Sequence, residues 1–240
     1  GEKKMKKKVA VAMSGGVDSS LTAALLIEQG YDVIGVTMTL SDESREAGGS
    51  TAVSDAKKVA DALNIPHYVV NYHKKFKDDV IKYFISEYAK GRTPNPCVRC
   101  NNTVKFGSLL KDCLELGADC VATGHYARIE QDEKTGRYLL KKGLDVRKDQ
   151  SYVLYTLTQD VLKHFMLPLG NYSKEKTREL AGKMNLPVAN KPESQEICFI
   201  PNDDYKAYLK TKAPHILKPG DIVDVNGNKL GRHEGVPLYT

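Results

Sequence analysis

The chain has 240 residues, a net charge of +6 and 41% hydrophobic residues, enough for one α/β domain and a smaller second piece. Residues 1–8 hold five lysines and one glutamate, so they carry +4 of that charge, and the rest only weakly indicates nucleic-acid binding. No apolar run approaches roughly 18 residues and no signal-peptide pattern is present, which argues against a membrane partner and predicts a cytoplasmic protein. Five cysteines, an odd number, indicate chemistry or burial rather than a disulfide framework.

The first predicted element is a short strand of small apolar residues at 9–12, followed by a Ser-Gly-Gly turn and a helix at 18–29. A strand, a glycine turn and a helix N-terminus form an anion site, because free backbone N–H groups and the helix dipole point to one spot. Gly15 and Gly16 allow the backbone to come close to a phosphate. Further hydroxyl donors are expected from Ser14, Ser19 and Ser20.

Asp18 makes this turn different from a Walker A loop, in which Gly-Lys-Ser/Thr would follow. A carboxylate would repel a bare phosphate. It suits a site in which Mg²⁺ lies between Asp18 and the pyrophosphate oxygens of a nucleotide. The string Ser-Gly-Gly-Val-Asp-Ser-Ser resembles the PP-loop of the ATP pyrophosphatase superfamily, whose members split ATP into AMP and pyrophosphate.

Strands and helices alternate up to about residue 123, which predicts an α/β fold with a doubly wound parallel sheet. Met38 falls at the end of the second strand, where such a sheet places its ligand crevice. Two prolines within 93–101 are expected to bar a helix there. Leu114 is expected to face inward from the helix that follows. The other predicted strands lie at 33–40, 67–71 and 120–123, and the helices at 52–63, 76–88 and around 109–114.

Beyond residue 123 the pattern becomes mixed α+β. A hairpin is predicted at 127–141, and Lys148 is expected to open a helix that runs to about Leu157. Ser173 is expected to cap a helix that runs through Met184. The predicted division is a basic tail at 1–8, a PP-loop domain at 9–165, a smaller helical region carrying Cys198 at 166–216, and the start of a β domain at 217–240.

Five motifs occur in order along the chain. They are the PP-loop, residues 93–101 (TPNPCVRCN) with Lys105-Phe106, residues 122–126 (ATGHY), residues 148–152 (KDQSY) and residues 194–199 (SQEICF). Together they resemble the tRNA-specific 2-thiouridylases, also called tRNA-uridine 2-sulfurtransferases. The resemblance implies an ATP- and Mg²⁺-dependent replacement of oxygen by sulfur at C2 of the wobble uridine (U34) in Lys, Glu and Gln tRNAs. It also implies a C-terminal β-barrel beyond Thr240.

The same resemblance implies roles for single residues. The residues implied to hold ATP are Ala12, Met13, Ser14, Gly15, Gly16, Val17, Asp18 and Ser19, with Met38 and Gly124 beside the nucleotide. The residues implied at the target base or the tRNA are Asn95, Pro96, Cys97, His125, Lys148, Asp149 and Gln150. The residues implied in catalysis are the nucleophile Cys100, the persulfide carrier Cys198 and the Mg²⁺ ligand Asp18.

The chemistry itself calls for two cysteines. Attack of the uridine O2 on the α-phosphate of ATP makes AMP the leaving group, and sulfur must then arrive as a nucleophilic persulfide. In one route Cys100 attacks a persulfide on Cys198, releases sulfide and leaves a disulfide. In the other route the persulfide attacks the base directly. Either route needs a persulfide donor as partner, a cysteine desulfurase or a relay protein.

Cys97 stands where many relatives have aspartate, which creates a Cys-x-x-Cys pair with Cys100. Together with Cys198, these cysteines could ligate a [4Fe–4S] cluster with one open iron, as an alternative to the two-cysteine route. Cys113 and Cys120 fall on apolar faces and are expected to be buried.

Two other functions remain open from the sequence. One is another PP-loop enzyme, such as a tRNA 2-thiocytidine or lysidine synthetase or an amide-forming synthetase. The other is a non-catalytic tRNA-binding or sulfur-relay module that keeps the ATP fold.

Overall fold

A computed structural model describes residues 6–40, 52–193 and 197–240. Three stretches lie outside the described residues: residues 41–51, whose polar, glycine-containing sequence predicts a loop, most of the basic tail, and residues 194–196 of the Cys198 motif. The chain forms two compact units, one from residues 1–73 and 101–193 and the other from residues 74–100 and 194–240. The domain boundaries expected from the sequence stay a prediction.

The first unit is built on a five-stranded sheet in the order β3-β2-β1-β4-β7, with every neighbouring pair parallel. This confirms the predicted doubly wound sheet. The central strand β1 pairs with β2 on one side and with β4 on the other, and its residues Val9 and Val11 are fully buried. The strands are β1 (Lys8–Ala12), β2 (Asp32–Thr39), β3 (His67–Asn71), β4 (Cys120–Ala122) and β7 (Phe165–Met166).

Helix α1 (Val17–Glu28) follows β1 and is buried on two faces. Ala23 and Leu26 belong to the core cluster that includes the sheet and α2 (Ala52–Ala62). Leu21 and Leu25 belong to a second cluster that includes α8 (Lys174–Lys183). Burial of each such leucine stabilises the fold by about 1.5–3 kcal/mol.

The other elements of the first unit include a hairpin at the predicted place. Its strands are β5 (Ala127–Gln131) and β6 (Tyr138–Lys142), which pair antiparallel. The predicted cap is also present, since the Ser173 side chain accepts a hydrogen bond from the backbone N–H of Lys176 at 3.1 Å. Other helices described in this unit include a π-helix at Asn101–Leu109, α6 (Leu110–Glu115) and α7 (Gln159–Leu162).

Two expectations about this unit are wrong. The helix expected to run from Lys148 to Leu157 is a single 3₁₀ turn, Ser151–Val153. The Asp149 carboxylate accepts hydrogen bonds from both the N–H and the hydroxyl of Ser151. Such local side-chain bonds compete with helix formation. Leu114, expected to face inward, is 37% exposed because α6 buries Leu110 and Cys113 instead.

The second unit contains α3 (His73–Phe76, which begins at the unit boundary), a π-helix at Lys77–Ile81, α4 (Lys82–Ala89), α5 (Pro96–Cys100) and α9 (Tyr205–Lys212). Residues 217–240, predicted to begin a β domain, contain an antiparallel hairpin of β8 (Gly220–Val223) and β9 (Lys229–His233). Four residues spaced four apart along the helix predicted at 76–88 form a buried stripe: Phe76, Val80, Phe84 and Tyr88 are at most 4% exposed. None of the helices in the described part of the chain is long and apolar enough to cross a membrane.

The expectation that prolines bar a helix within 93–101 is wrong from residue 96 onward. Pro96 is the first residue of α5, a position where the missing N–H has no helical partner to lose. Asn95 caps this helix, since its side-chain oxygen accepts hydrogen bonds from the N–H groups of Cys97 and Val98 at 3.0 and 3.3 Å.

Candidate active site

The carboxyl ends of β1 and β4 lie side by side in the sheet, with chain connections that leave in opposite directions. This is the switch point at which doubly wound sheets bind ligands. Residues 13–16 follow β1, and residues 123–125 follow β4. The sheet therefore places the PP-loop and the Thr-Gly-His turn next to each other.

The PP-loop has the backbone of an anion site. Gly15 has φ +72°, a left-handed conformation that favours glycine, and a Cβ there would lie 2.5 Å from the Ala52 carbonyl oxygen. Gly16 is the N-cap of α1 and provides no side-chain cap, so no side chain from that position covers the first-turn N–H groups. This arrangement can bind phosphate through backbone N–H groups.

The serines of the loop divide into two kinds. Ser14 is exposed, and its hydroxyl lies 3.3 Å from that of Ser19, which also accepts from the Ser14 N–H at 3.1 Å. Ser20 was expected to donate to a ligand, but it is fully buried and its hydroxyl donates to the Gly16 carbonyl at 2.8 Å. Its role in this structure is to hold the turn.

Two of the other residues expected at the nucleotide could meet it only through the backbone. Met13 and Val17 are buried at 2% and 5% exposure, so their side chains belong to the core. Ala12 is half-buried at the end of β1. Met38 is half-buried near the end of β2, as the crevice position requires.

Asp18 lies in the first turn of α1 with its side chain 33% exposed. The Lys174 ammonium donates to both of its carboxylate oxygens, at 2.6 and 2.9 Å. The Tyr126 hydroxyl donates to one of them at 2.8 Å. Burial raises the pKa of Tyr126, so this hydroxyl stays protonated and acts as a donor.

A second carboxylate completes this network. Glu193 pairs with Lys174 and, at 2.8 Å, with Lys148. Burial opposes ionisation of Glu193, but the hydrogen bonds from Lys148 and Lys174 outweigh it and lower its pKa to about 2. Two lysines and two acids therefore alternate beside the PP-loop, in a chain from Asp18 to Lys148.

Lys191 holds the other side of the loop. Its ammonium donates to the Gly15 carbonyl at 3.1 Å and to the Asp55 carboxylate at 2.7 Å. None of the motifs found in the sequence contains Lys191, Lys174 or Glu193. Lys174 and Lys191 lie more than 130 residues from their partners Asp18, Gly15 and Asp55. Glu193 lies outside the five motifs, so no local pattern indicates any of the three.

Gly124 and His125 follow β4. A Cβ on Gly124 would lie 2.9 Å from the Asp18 carbonyl carbon and 3.0 Å from the Ser19 nitrogen, so this turn touches the start of α1. The His125 ring accepts from or donates to the Thr123 hydroxyl at 2.7 Å. Burial and the charge of Lys105 lower the pKa of His125 to about 3, so a contact with RNA would involve the neutral ring.

The three residues of the Lys-Asp-Gln motif are all engaged within the first unit. Lys148 pairs with Glu193, as above. Asp149 accepts from the Gly143 N–H at 2.9 Å and from Ser151. Gln150 pairs with both backbone groups of Tyr126, at 2.8 and 3.1 Å. The motif thus fixes the turn after β4, whether or not it also contacts tRNA.

The three cysteines expected in the chemistry all fall in the second unit. Cys97 and Cys100 lie on α5, three residues apart, with Cys97 exposed and Cys100 6% exposed. Cys198 is exposed. Its neighbour Phe199 is buried among Phe76, Phe84 and Tyr208, with ring centroids 5.3–5.6 Å apart. This aromatic anchor presents Cys198 at the surface of the unit.

The other two cysteines are buried, as expected, at 0% for Cys113 and 3% for Cys120. Burial, with the nearby Asp112 charge, raises the pKa of Cys113 to about 12. All five cysteines lie in the described part of the chain, and none forms a disulfide.

The residues present fit Mg²⁺ better than an iron–sulfur cluster. A partly exposed carboxylate beside a phosphate-binding turn is a usual Mg²⁺ ligand, with the nucleotide supplying further oxygens. Within residues 6–40, 52–193 and 197–240, no three His, Cys, Asp or Glu side chains converge on a point that could hold a metal. Cys97, Cys100 and Cys198 therefore do not form a ready cluster site.

The sheet, the glycine turn at its switch point and the acidic residue in that turn define a nucleotide-binding protein of the PP-loop class. Residues 7–202 match the family described as "tRNA methyl transferase HUP domain". The chain is 56% identical over 243 residues to the tRNA-specific 2-thiouridylase MnmA of Carboxydothermus hydrogenoformans, covering 98% of this chain and 67% of that protein. It is 58% identical to MnmA 1 of Caldanaerobacter subterraneus, covering 97% and 66%.

The chain belongs to the family of tRNA-specific 2-thiouridylases. This confirms the predicted family, and the chain spans about two thirds of the length of these curated relatives. Among solved structures, the U34-tRNA thiolase NcsA of Methanococcus maripaludis with its [4Fe–4S] cluster is 19% identical, with a TM-score of 0.48 over 90% of this chain and 71% of that one. A TM-score below 0.5 at this sequence identity says nothing about the reaction that this chain carries out.

Proposed function

We propose that this chain carries the ATP-dependent 2-thiolation of the wobble uridine of Lys, Glu and Gln tRNAs. The observation that carries the proposal is the PP-loop at the sheet switch point, with Asp18 in its first helical turn. The exposed Cys198 and the buried Cys100 supply the two thiols that sulfur transfer needs. A cytoplasmic location stays a prediction.

The first half-reaction draws on the first unit. The uridine O2 attacks the α-phosphate of ATP, the bond to the β-phosphate oxygen breaks, and pyrophosphate leaves. The N–H groups of the loop and of the first turn of α1 stabilise the negative charge on the phosphates. Asp18 would hold Mg²⁺, which when bound neutralises charge on the departing pyrophosphate.

The second half-reaction draws on the second unit. We propose that Cys198 carries a persulfide from a cysteine desulfurase or relay protein. The Cys100 thiolate attacks the inner sulfur, the terminal sulfur leaves as hydrosulfide, and a Cys100–Cys198 disulfide forms. Hydrosulfide then attacks C2 of the adenylated base and displaces AMP, and an external thiol reduces the disulfide. Direct attack by the persulfide is the alternative route.

Contacts with tRNA are proposed for Asn95, Pro96, Cys97, His125 and the Lys148–Gln150 motif. Asn95 caps α5, and Pro96 and Cys97 lie in its first turn, in the same short helix as Cys100. His125 and the motif lie beside the turn after β4. Lys148 is the residue of that motif best suited to reach RNA, because Asp149 and Gln150 bond to the backbone, whereas the partly exposed Lys148 ammonium pairs with the Glu193 side chain.

The iron–sulfur route is less well supported than the persulfide route, since the described side chains do not converge on a cluster. It is decided by iron and sulfide analysis of anaerobically purified protein. If the wild-type protein contains stoichiometric iron, and Cys97→Ser loses both the iron and the activity, the cluster route replaces the persulfide route.

The main test separates the two half-reactions. Wild-type protein is expected to show tRNA-stimulated exchange between ATP and pyrophosphate, and to thiolate an anticodon-stem tRNA from a persulfide donor. Cys100→Ser and Cys198→Ser should keep the exchange and lose thiolation, whereas the buried Cys113→Ala should keep both. Thiolation by Cys100→Ser would favour direct attack by the Cys198 persulfide.

The absence of ATP/pyrophosphate exchange in the wild-type protein would contradict the proposal. That result would favour a non-catalytic relay module. Exchange stimulated by a different nucleoside target, with no 2-thiouridine formed, would favour another PP-loop enzyme.

A further inference from the structure

Lys174 is a buried cation that the chemistry above does not use. The residue is 7% exposed, and its ammonium lies against both oxygens of Asp18 and one oxygen of Glu193. Its Nζ also lies 5.5 Å from the centroid of the Tyr126 ring. Burying an unpaired ammonium costs free energy, and here two carboxylates provide the pairing that offsets this cost.

The placement is specific to the PP-loop. Lys174 is the first residue of α8, whose N-cap is Ser173, and its backbone N–H donates to the Asp145 carboxylate at 3.1 Å. Both ends of the residue are therefore fixed. The ammonium is directed at the one carboxylate that the proposed reaction assigns to the cation of Mg·ATP.

The Lys174 ammonium and Mg²⁺ cannot both contact Asp18 unless an anion lies between them. Like charges at contact distance repel strongly in a partly buried site. Lys174 has a second carboxylate, Glu193, which can keep it paired if Asp18 changes partner. The ammonium would then lie at the start of α1 with its remaining hydrogen-bonding capacity open to a phosphate oxygen.

We propose that Lys174 is a pyrophosphate-binding residue of this site: it neutralises Asp18 while the site holds no nucleotide, and binds the β- and γ-phosphates once Mg·ATP is present. The inference rests on the proposed function, since it assumes that the PP-loop binds ATP. It adds a side-chain cation to a loop that has no Walker-type lysine.

The test is equilibrium binding of ligands with and without the phosphates in question. Calorimetric titrations with Mg·pyrophosphate, Mg·ATP and AMP are compared for wild type, Lys174→Met and Lys176→Met. Lys176 is the matched control, because it lies on the same helix and pairs with Glu179 at the surface. Lys174→Met is expected to weaken pyrophosphate and ATP binding at least 10-fold, with AMP affinity within about 2-fold of wild type, and Lys176→Met to change none of them.

The single substitution leaves Asp18 without its cation and Glu193 with Lys148 alone, so its fold must be checked. The double variant Lys174→Gln with Glu193→Gln removes one positive and one negative charge, and it decides the matter if Lys174→Met does not fold. It is expected to show the same selective loss of pyrophosphate binding. Equal pyrophosphate affinity in a folded Lys174 variant and in wild type would overturn the inference, and so would an equal loss of AMP binding.

The two proposals fail differently. If wild-type protein binds neither Mg·ATP nor Mg·pyrophosphate, the proposed function fails. If wild type binds both and the Lys174 variants bind them equally well, the proposed function stands and only the role of Lys174 is rejected.

Discussion

Gly124 lies so close to Asp18 that a Cβ at this glycine would come within 2.9 Å of two Asp18 carbon atoms. The turn after β4 and the first turn of α1 are thus in direct contact, although the two residues are 106 positions apart in the sequence. The absence of a side chain at Gly124 allows both walls of the proposed nucleotide site to approach each other.

Gly124→Ala is therefore expected to push the β4 turn away from α1. We expect a loss of about 1–3 kcal/mol in the free energy of unfolding and at least 10-fold weaker ATP binding. Urea denaturation and calorimetric titration measure the two effects. Gly182→Ala is the matched control, since a Cβ there meets no atom within 4 Å and the glycine lies in α8. Equal behaviour of the two variants would show that the close approach is unimportant.

Glu193 makes stability depend on pH. Its folded-state pKa of about 2 lies below the ordinary value of 4.5, so its stabilisation is fully present above about pH 4.5 and is lost as the pH falls toward 2. After allowance for solvent screening we expect about 1–2 kcal/mol. Wild type and Glu193→Gln are compared by urea denaturation at pH 7, 5 and 4.

The difference between the two proteins should be largest at pH 7 and shrink as the pH falls. His125 acts in the same direction between 6.5 and about 3, because its folded-state pKa is also lowered, but it is common to both proteins and cancels. A difference that does not change with pH would mean that Glu193 contributes through packing alone.

Asp149 is expected to act mainly through the fold. Asp149→Ala removes the acceptor for Gly143 and Ser151 and should lower the free energy of unfolding by about 1–3 kcal/mol. Asp149→Asn keeps an acceptor oxygen and should cost less than about 1 kcal/mol. Thermal unfolding and filter-binding of tRNA are measured on both variants. Weak tRNA binding by a stable Asp149→Asn protein would indicate a direct role of the carboxylate at the RNA.

Phe199 is expected to control the position of Cys198. Phe199→Ala removes a ring that packs edge-on against Phe76, Phe84 and Tyr208, at a cost of about 3–5 kcal/mol to the second unit. Thiolation should fall strongly, while ATP binding in the first unit stays within about 2-fold of wild type. Phe199→Leu, which keeps most of the buried volume, should retain much more thiolation. Equal thiolation by wild type and Phe199→Ala would exclude the anchoring role.

The elements around the PP-loop were predictable because their signals are local. Small apolar residues followed by Ser-Gly-Gly and a helical pattern specify a strand, a turn and a helix within 20 residues. The helix at Pro96 was not predictable in the same way. The prolines alone disfavour a helix, and the outcome depends on Pro96 taking the first helical position with Asn95 as its cap. The failed helix after Lys148 has a similar cause, since one side chain redirected the backbone.

By itself the sequence determined the fold class, the family and the residues of the PP-loop, because short-range patterns and motif order carry that information. Only the tertiary structure decided which charges surround Asp18. Lys174, Tyr126 and Lys191 reach the loop from elements that fold against it from far along the chain, and electrostatic partners at such separations leave no trace in local spacing. The tertiary structure also separated Ser14, which is exposed, from Ser20, whose burial commits its hydroxyl to the turn.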